Sequence, residues 1–310
     1  MAAKTFNLLS IGERGVGKTV FLAGSYTELQ GEYSAEHPKA SWFDCQDQEV
    51  RSNIEKILQH IQNTGLYPPA TIKITNFNFD LKHQGWRGIK TRCKFRWWDI
   101  PGEACHIRNP DFQELVLKSH SCCVFISAPG LLHDREYAQT LTDLFDQVVA
   151  IASLVNQQRL NYSFAIVLTK CDLLESGTVT QLQIEQNLQP LITRLDALKA
   201  NYQRFYSAIP IVSMQGTASL NARGAADPLL WLLAQLNKHH HFQPNYNLAT
   251  GLAQTALTQQ MFPSNLRKSV ALLAIASISL LGIAIALLFT LGLFTIAPDQ
   301  APITEQKVHL

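Results

Sequence analysis

The residue pattern with the clearest chemistry in this chain is a glycine-rich segment at residues 12–19, which reads Gly-Glu-Arg-Gly-Val-Gly-Lys-Thr. It follows an apolar run at 6–11 that predicts a strand, and it precedes an apolar stretch that predicts a helix. Glycines allow successive backbone N–H groups to turn inward around phosphate oxygens, and the positive end of the helix faces the same anion. Lys18 can reach the β- and γ-phosphates, and the Thr19 hydroxyl can ligate Mg²⁺. The predicted phosphate-binding residues are Gly12, Gly15, Val16, Gly17, Lys18 and Thr19.

A second motif follows a predicted strand that ends near Trp97. Asp99 and Gly102 have the spacing Asp-x-x-Gly. An aspartate at this place can hold Mg²⁺ through water, and the Gly102 backbone N–H can bond a γ-phosphate. Asp-x-x-Gly is too short to indicate this role alone. Its position after a strand, and after the phosphate-binding segment, makes the prediction stronger.

A third motif, Thr169-Lys170-Cys171-Asp172, follows the apolar run 164–168. An aspartate here can accept two hydrogen bonds, from the N1–H and the N2 amine of guanine, and adenine offers no matching pair. The Lys170 stem can lie along the base. The alternative interpretation of this tetrapeptide is a solvated strand end.

These three motifs, in this order and each after a strand, resemble those of the Ras-like P-loop GTPases. The resemblance covers about residues 4–240 and implies binding of Mg²⁺ and GTP or GDP, slow hydrolysis of GTP, and a switch that engages effector or regulatory proteins. It implies that Ser213 and Met214, which partly match a Ser-Ala-Lys motif, lie at the base. Residues 17–26 also have a looser similarity to the GTPase domains of bacterial conflict systems.

The chain departs from the family pattern in ways that bear on catalysis. The stretch from Thr19 to Asp99 is about twice as long as in a minimal member, which predicts an insertion at about 27–70. The Mg²⁺-binding switch threonine is therefore ambiguous among Thr64, Thr71 and Thr75. The candidate catalytic residues are Lys18, Glu103, which stands where the family has a water-orienting glutamine, and Arg14, which either supplies or blocks an arginine finger or simply faces solvent.

Two other functions stay open from the sequence. One is a nucleotide-responsive membrane scaffold that binds GTP and scarcely hydrolyses it, motivated by Glu103 and Arg14. The other is a P-loop enzyme that uses ATP. A formal net charge of +2 gives no case for nucleic-acid binding, and six cysteines without Cys-x-x-Cys spacing indicate reduced thiols rather than a zinc site.

The elements that must position these motifs predict an α/β fold of the P-loop NTPase type, with a mainly parallel sheet flanked by helices. A helical period is present at 48–64, and alternation at 71–81 and 89–100 predicts a hairpin. Three continuous apolar runs, 122–128, 164–168 and 209–213, predict strands buried in a parallel sheet. Further helices are expected at 137–155, 184–202 and 228–236.

The far end of the chain predicts a membrane anchor. Residues 269–298 carry no charge, and 270–296 as a helix would be about 40 Å long, enough to span a hydrocarbon core of about 30 Å. Arg267 and Lys268 precede this segment, so the positive-inside rule predicts a cytoplasmic N-terminal domain. The expected organisation is a GTPase domain at 1–242, a linker at 243–266, one transmembrane helix at 270–296 and a short tail at 297–310.

Overall fold

The structure is a computed structural model that describes residues 3–30, 41–45, 47–68, 76–85, 88–100, 107–214, 216–222 and 224–240. The chain divides into two units, Met1–Thr258 and Gln259–Leu310, and every described residue belongs to the first. The predicted linker, transmembrane helix and tail lie outside the described residues. Within the described part of the chain, no helix is long and apolar enough to cross a membrane.

Most strands join a single, largely parallel sheet. In the described ranges the strands are β1 (Lys4–Ile11), β2 (Ser41–Asp44), β3 (Asn76–Gly85), β4 (Gly88–Asp99), β5 (Ser121–Ser127), β6 (Ser163–Thr169), β7 (Asn201–Tyr206), β8 (Ile211–Met214) and β9 (Thr217–Leu220). Seven of them follow the order β2-β3-β4-β1-β5-β6-β7, and β8 and β9 form a separate two-stranded sheet. The strands from β4 to β7 in this order pair in parallel, whereas β3 and β2 are added antiparallel.

Helices cover both faces of this sheet, as an α/β fold requires. In the described ranges they are α1 (Lys18–Gln30), α2 (Gln48–Thr64), α3 (Pro110–Lys118), α4 (Ala128–His133), α5 (Arg135–Gln157), α6 (Thr178–Ala197) and α7 (Asp227–His240). Apolar side chains of α1, α2 and α7 form one buried cluster with Phe6 and Leu8 of β1 and Trp97 of β4. Leu9 and Ile11 are equally buried, and because strand residues alternate in direction they face the opposite layer.

Much of the predicted element order is confirmed. α2 has the predicted bounds, β3 and β4 form the predicted hairpin over its described part, and β5 and β6 are fully buried strands inside the parallel sheet. The expected strand at 71–75 lies outside the described residues.

Two predictions at the far edge of the sheet are wrong. Residues 209–213 do not enter the parallel sheet, because Ile211–Met214 pairs antiparallel with Thr217–Leu220. The helix predicted at 184–202 ends at Ala197, and β7 begins at Asn201. β7 is an edge strand with a partly exposed, polar sequence, so it lacks the apolar run that marks a buried strand.

Candidate functional site

The described residues of the three sequence motifs lie at one edge of the sheet, where the parallel strands β4, β1, β5 and β6 end. β1 lies between β4 and β5, and the chain crosses from β4 over to β5 on the other side of β1. The direction of winding therefore reverses beside β1. In open α/β sheets this reversal leaves a crevice beyond the carboxyl ends of the strands, where ligands bind.

The turn between β1 and α1 depends on glycine conformations. Gly12, Gly15 and Gly17 have φ values of +146°, +76° and +105°, which side-chain-bearing residues rarely adopt. Gly12 also lies so close to β5 that an added Cβ would be 2.7 Å from the carbonyl oxygen of Phe125. The glycine pattern is thus required by the backbone path, and at Gly12 by contact with the neighbouring strand.

Lys18 bends back over this turn. Its Nζ donates a hydrogen bond of 2.8 Å to the carbonyl oxygen of Gly12, and the N–H of Phe21 donates the first α-helical bond, 2.9 Å, to Gly17. The N–H groups at the start of a helix have no acceptor within the helix, and such groups commonly bind anions. Thr19, in the same first turn, is partly buried, and Arg14 is exposed.

The second motif lies beside the first through strand register. Asp99 is the last residue of β4 and pairs with Ser10 of β1, and the N–H of Ile100 donates to the Ser10 carbonyl over 3.2 Å. The backbone of Asp99 is therefore adjacent to the strand that leads into the glycine turn. Gly102 and Glu103 lie outside the described residues.

The two residues predicted to hold Mg²⁺, Thr19 and Asp99, are of types that this ion accepts as ligands. A threonine hydroxyl and an aspartate are oxygen ligands, and Mg²⁺ commonly takes only one or two protein ligands and completes its shell with phosphates and water. Among the described residues, no group of three or more His, Cys, Asp or Glu side chains is placed to hold a metal ion. Of the candidate switch threonines, Thr64 donates its hydroxyl to the His60 carbonyl at the end of α2, and Thr71 and Thr75 lie outside the described residues.

Thr169 links the first and third motifs. Its buried hydroxyl lies 2.5 Å from the carbonyl oxygen of Val16 and 3.2 Å from that of Ile126. One hydroxyl proton shared between these two acceptors ties the glycine turn to the ends of β5 and β6. Thr169 therefore has a structural role that its place in the motif did not predict.

Lys170 and Asp172 follow directly and turn the chain away from the sheet. Lys170 has a φ of +58°, and a single 3₁₀ turn covers Cys171–Leu173. Burial, with the Asp172 charge as a smaller cause, raises the pKa of the Cys171 thiol to about 12, so this thiol stays protonated and unreactive at neutral pH. Oδ2 of Asp172 lies 3.2 Å from the hydroxyl of Tyr67, a residue that follows α2.

The base-side residues predicted as Ser213 and Met214 are not where a parallel strand ends. Both lie within β8, and Ser213 is exposed. The segment that follows the last parallel strand is 207–209, Ser-Ala-Ile, and it contacts the third motif directly. The N–H of Ser207 donates to Leu168 over 2.7 Å, and the N–H of Cys171 donates to Ser207 over 3.1 Å.

The sequence analysis did not identify the 207–209 loop or Tyr67 at this site. Only the loop has a recognisable pattern in the sequence. The letters Ser207-Ala208 reproduce the first two residues of the Ser-Ala-Lys motif, so a correctly placed β7 would have pointed to them. Tyr67 left no signal, because its contact with Asp172 joins residues that are far apart in the chain. Comparison with protein-family models and with curated proteins gives no match to this chain.

Proposed function

We propose that this protein binds Mg²⁺·GTP at the carboxyl edge of its parallel sheet and hydrolyses it slowly, as a membrane-anchored switch. One observation carries the proposal: the described residues of three motifs that resemble those of Ras-like GTPases are far apart in the sequence and lie around the end of β1. A glycine turn before a helix, an aspartate on the adjacent strand and a Thr-Lys-x-Asp segment two strands away form a coherent nucleotide site.

Each predicted site residue would have a separate role in nucleotide binding or hydrolysis. The Lys18 ammonium and the N–H groups of the glycine turn would neutralise phosphate charge, and Thr19 and Asp99 would hold Mg²⁺. When bound, Mg²⁺ supplies further positive charge against the β- and γ-phosphates. Water attacks the γ-phosphorus in line while the bond from that phosphorus to the β–γ bridging oxygen breaks, so GDP leaves and the water proton passes to the released phosphate. Glu103 accepts a hydrogen bond from the attacking water, and Arg14 stabilises the charge that develops.

Base recognition involves both loops that follow β6 and β7. Asp172 accepts hydrogen bonds from N1–H and the N2 amine of guanine, and Lys170 lies along the base. We assign the loop beside the base to residues 207–209 rather than to Ser213 and Met214. The hydrogen bonds from Ser207 to Leu168 and from Cys171 to Ser207 support this assignment, because they join the loop to the third motif.

The membrane anchor rests on sequence. Residues 270–296 are uncharged and long enough to span a bilayer, and Arg267 and Lys268 favour a cytoplasmic position for the nucleotide site. Effector or regulatory proteins would then be recruited to the membrane surface when the nucleotide state changes.

A swap of nucleotide preference tests the guanine assignment. Xanthine carries a carbonyl where guanine carries the N2 amine, and an asparagine amide can donate to that carbonyl. Asp172→Asn should weaken GTP binding by about 100-fold, because two bonds to a charged acceptor are lost, and should weaken xanthosine triphosphate far less. Calorimetry with Mg²⁺ present measures both affinities. An unchanged preference would favour an ATP-using enzyme instead.

A further inference from the structure

Tyr67 connects the insertion to both loops of the candidate base site. Its hydroxyl lies 3.2 Å from Oδ2 of Asp172 and 3.0 Å from the carbonyl oxygen of Ile209. Asp172 belongs to the loop after β6, and Ile209 belongs to the loop after β7. A single phenol thus bridges the two segments expected to surround a nucleotide base.

The turn that carries Tyr67 is well fixed at the end of α2. Gly65 ends the helix with a φ of +67°, and its N–H donates to the Ile61 carbonyl over 2.8 Å. The N–H of Leu66 then donates to Oγ1 of Thr64 over 3.1 Å. Because Ile61 is buried in the core cluster, the backbone turn that precedes Tyr67 is anchored to the packed part of α2.

The chemistry of the contact suits a donor that orients a carboxylate. Burial, and secondarily the neighbouring Asp172, raises the pKa of the Tyr67 phenol to about 12, so the hydroxyl keeps its proton at neutral pH. A carboxylate offers about four lone-pair sites, so a bond from Tyr67 to Oδ2 leaves acceptors on both oxygens. The hydroxyl can therefore fix the carboxylate without excluding a base.

We propose that Tyr67 is a positioning residue for base recognition, which holds the Asp172 carboxylate and the 207–209 loop in the arrangement that selects guanine. The inference rests on the proposed function and adds to it, because it assigns nucleotide selectivity to the inserted segment as well as to the three motifs. Leu66 and Leu173, the chain neighbours of the two partners, are both mostly exposed, so the contact lies at the rim of the domain.

Thermodynamic linkage makes the effect of the Tyr67 contact on guanine binding reciprocal. If the Tyr67 contact favours guanine binding by some factor, guanine binding must favour the contact by the same factor. GTP should therefore stabilise the turn at 64–68, and a nucleotide that does not use Asp172 should leave this turn unchanged.

The direct test compares Tyr67→Phe with the parent in the purified full-length chain in detergent. Phenylalanine keeps the ring and removes the donor to a charged acceptor, so we expect GTP affinity to fall by about threefold to tenfold and ATP affinity to stay the same. Tyr202→Phe is the matched control, because it removes a similar phenol-to-carboxylate bond, 2.7 Å to Asp196, at the amino end of β7. This control should change neither affinity.

A double-mutant cycle separates positioning from a general structural effect. In the Asp172→Ala background, Tyr67→Phe should have no further effect on the ratio of GTP to ATP affinity. An equal loss of both nucleotides, an unchanged ratio in Tyr67→Phe, or tighter GTP binding in that variant would overturn the proposal.

Hydrogen exchange on the unmodified chain tests the same point if Tyr67→Phe does not fold. GTP, and not ATP, should slow amide exchange at residues 64–67, and equal exchange with and without GTP would overturn the proposal. A parent chain that binds no GTP would instead refute the proposed function. If the parent binds GTP and Tyr67→Phe behaves like it, only the role of Tyr67 is refuted.

Discussion

At the residue scale, glycines in the turn between β1 and α1 are required for two different reasons, backbone conformation and close packing. Gly12 and Gly15 both have positive φ, but only Gly12 lies against another strand. A Cβ at Gly12 would be 2.7 Å from a backbone oxygen of β5, whereas a Cβ at Gly15 would meet nothing within 4 Å. The first glycine is therefore needed for packing and conformation, and the second for conformation alone.

This difference predicts unequal effects of alanine at the two positions. Gly12→Ala should reduce the free energy of unfolding by about 3 kcal/mol or more, because the backbone strain is joined by a contact that the Phe125 carbonyl cannot relieve. Gly15→Ala should cost about 1 kcal/mol from strain alone. Urea unfolding followed by tryptophan fluorescence measures both, and equal losses would show that the approach of Gly12 to β5 is not as described.

Residues of the candidate site could be predicted where they form a motif with fixed spacing inside one short segment. The glycine turn, Lys18 and Thr19 needed only local sequence. The roles of Thr169 and Tyr67 depend on contacts with Val16 and Asp172 that join distant parts of the chain. No short-range pattern encodes such contacts, so the sequence could not reveal them.

At the element scale, α2 shows why an inserted helix could be predicted with correct bounds. Asp47 accepts hydrogen bonds from the N–H groups of Glu49 and Val50, Gly65 closes the other end, and the buried residues between them recur at helical spacing. Start signal, period and stop signal agree. β7 has no comparable set of signals, because an edge strand needs no continuous apolar run. The sequence analysis therefore extended a helix to residue 202, where the structure has the start of β7.

The junction of α1 and α7 predicts a dependence of stability on pH. Glu28 of α1 accepts hydrogen bonds from the N–H groups of Gly224 (2.6 Å) and Ala226 (2.7 Å), just before α7. Burial, with Glu28 as the second cause, raises the pKa of Asp227 in the first turn of α7 from 3.8 to about 6. The folded state therefore binds a proton more tightly than the unfolded state does, and ionised Asp227 destabilises the fold.

The sign of this effect can be tested with Asp227→Asn. The contribution of Asp227 to stability should fall as pH rises from about 4 to 6, since over this range its carboxyl binds a proton more fully in the folded state than in the unfolded state, and the cost is fully present above pH 6. Asp227→Asn should then stabilise the protein by about 1–2 kcal/mol at pH 7.5, allowing for partial exposure, and by little below pH 4. Urea midpoints at the two pH values measure the difference.

Asp111→Asn provides the control for this experiment. Asp111 is also in the first turn of a helix, α3, and its side chain is exposed. Its substitution should not stabilise the protein at either pH. Stabilisation by both variants, or a benefit of Asp227→Asn that does not depend on pH, would contradict the account of the junction.

At the scale of the whole molecule, the order of strands in the sheet brings the motifs close together, although they are far apart in the sequence. The parallel order β4-β1-β5-β6 brings the ends of these strands to one edge, and the crossover from β4 to β5 produces the reversal beside β1. The general α/β class was predictable from alternating strands and helices. The position of β7 was not, because it depends on pairing with β6, which lies far from it in the chain. The separate sheet was not predicted either, because the apolar run at 209–213 does not show that β8 pairs with the adjacent β9 instead of a parallel strand.

The membrane assignment makes a prediction for the intact chain. If residues 270–296 span a bilayer, the full-length protein should float with liposomes in a density gradient, because burying this uncharged segment in lipid is strongly favourable. A chain ending after Lys268 should stay at the bottom of the gradient. Flotation of both chains, or of neither, would refute the anchor and leave the nucleotide site untouched.

The proposed function requires that the glycine turn and Lys18 bind the phosphates of GTP. Calorimetry of the full-length chain with GTP and Mg²⁺ tests it most directly, with Lys18→Ala as the variant and Lys4→Ala, at the opposite end of β1, as the control. We expect Lys18→Ala to weaken GTP binding by about 10- to 100-fold, since a charged donor to phosphate is lost, and Lys4→Ala to bind like the parent. A parent that does not bind GTP, or a Lys18→Ala chain that binds it equally well, would contradict the account.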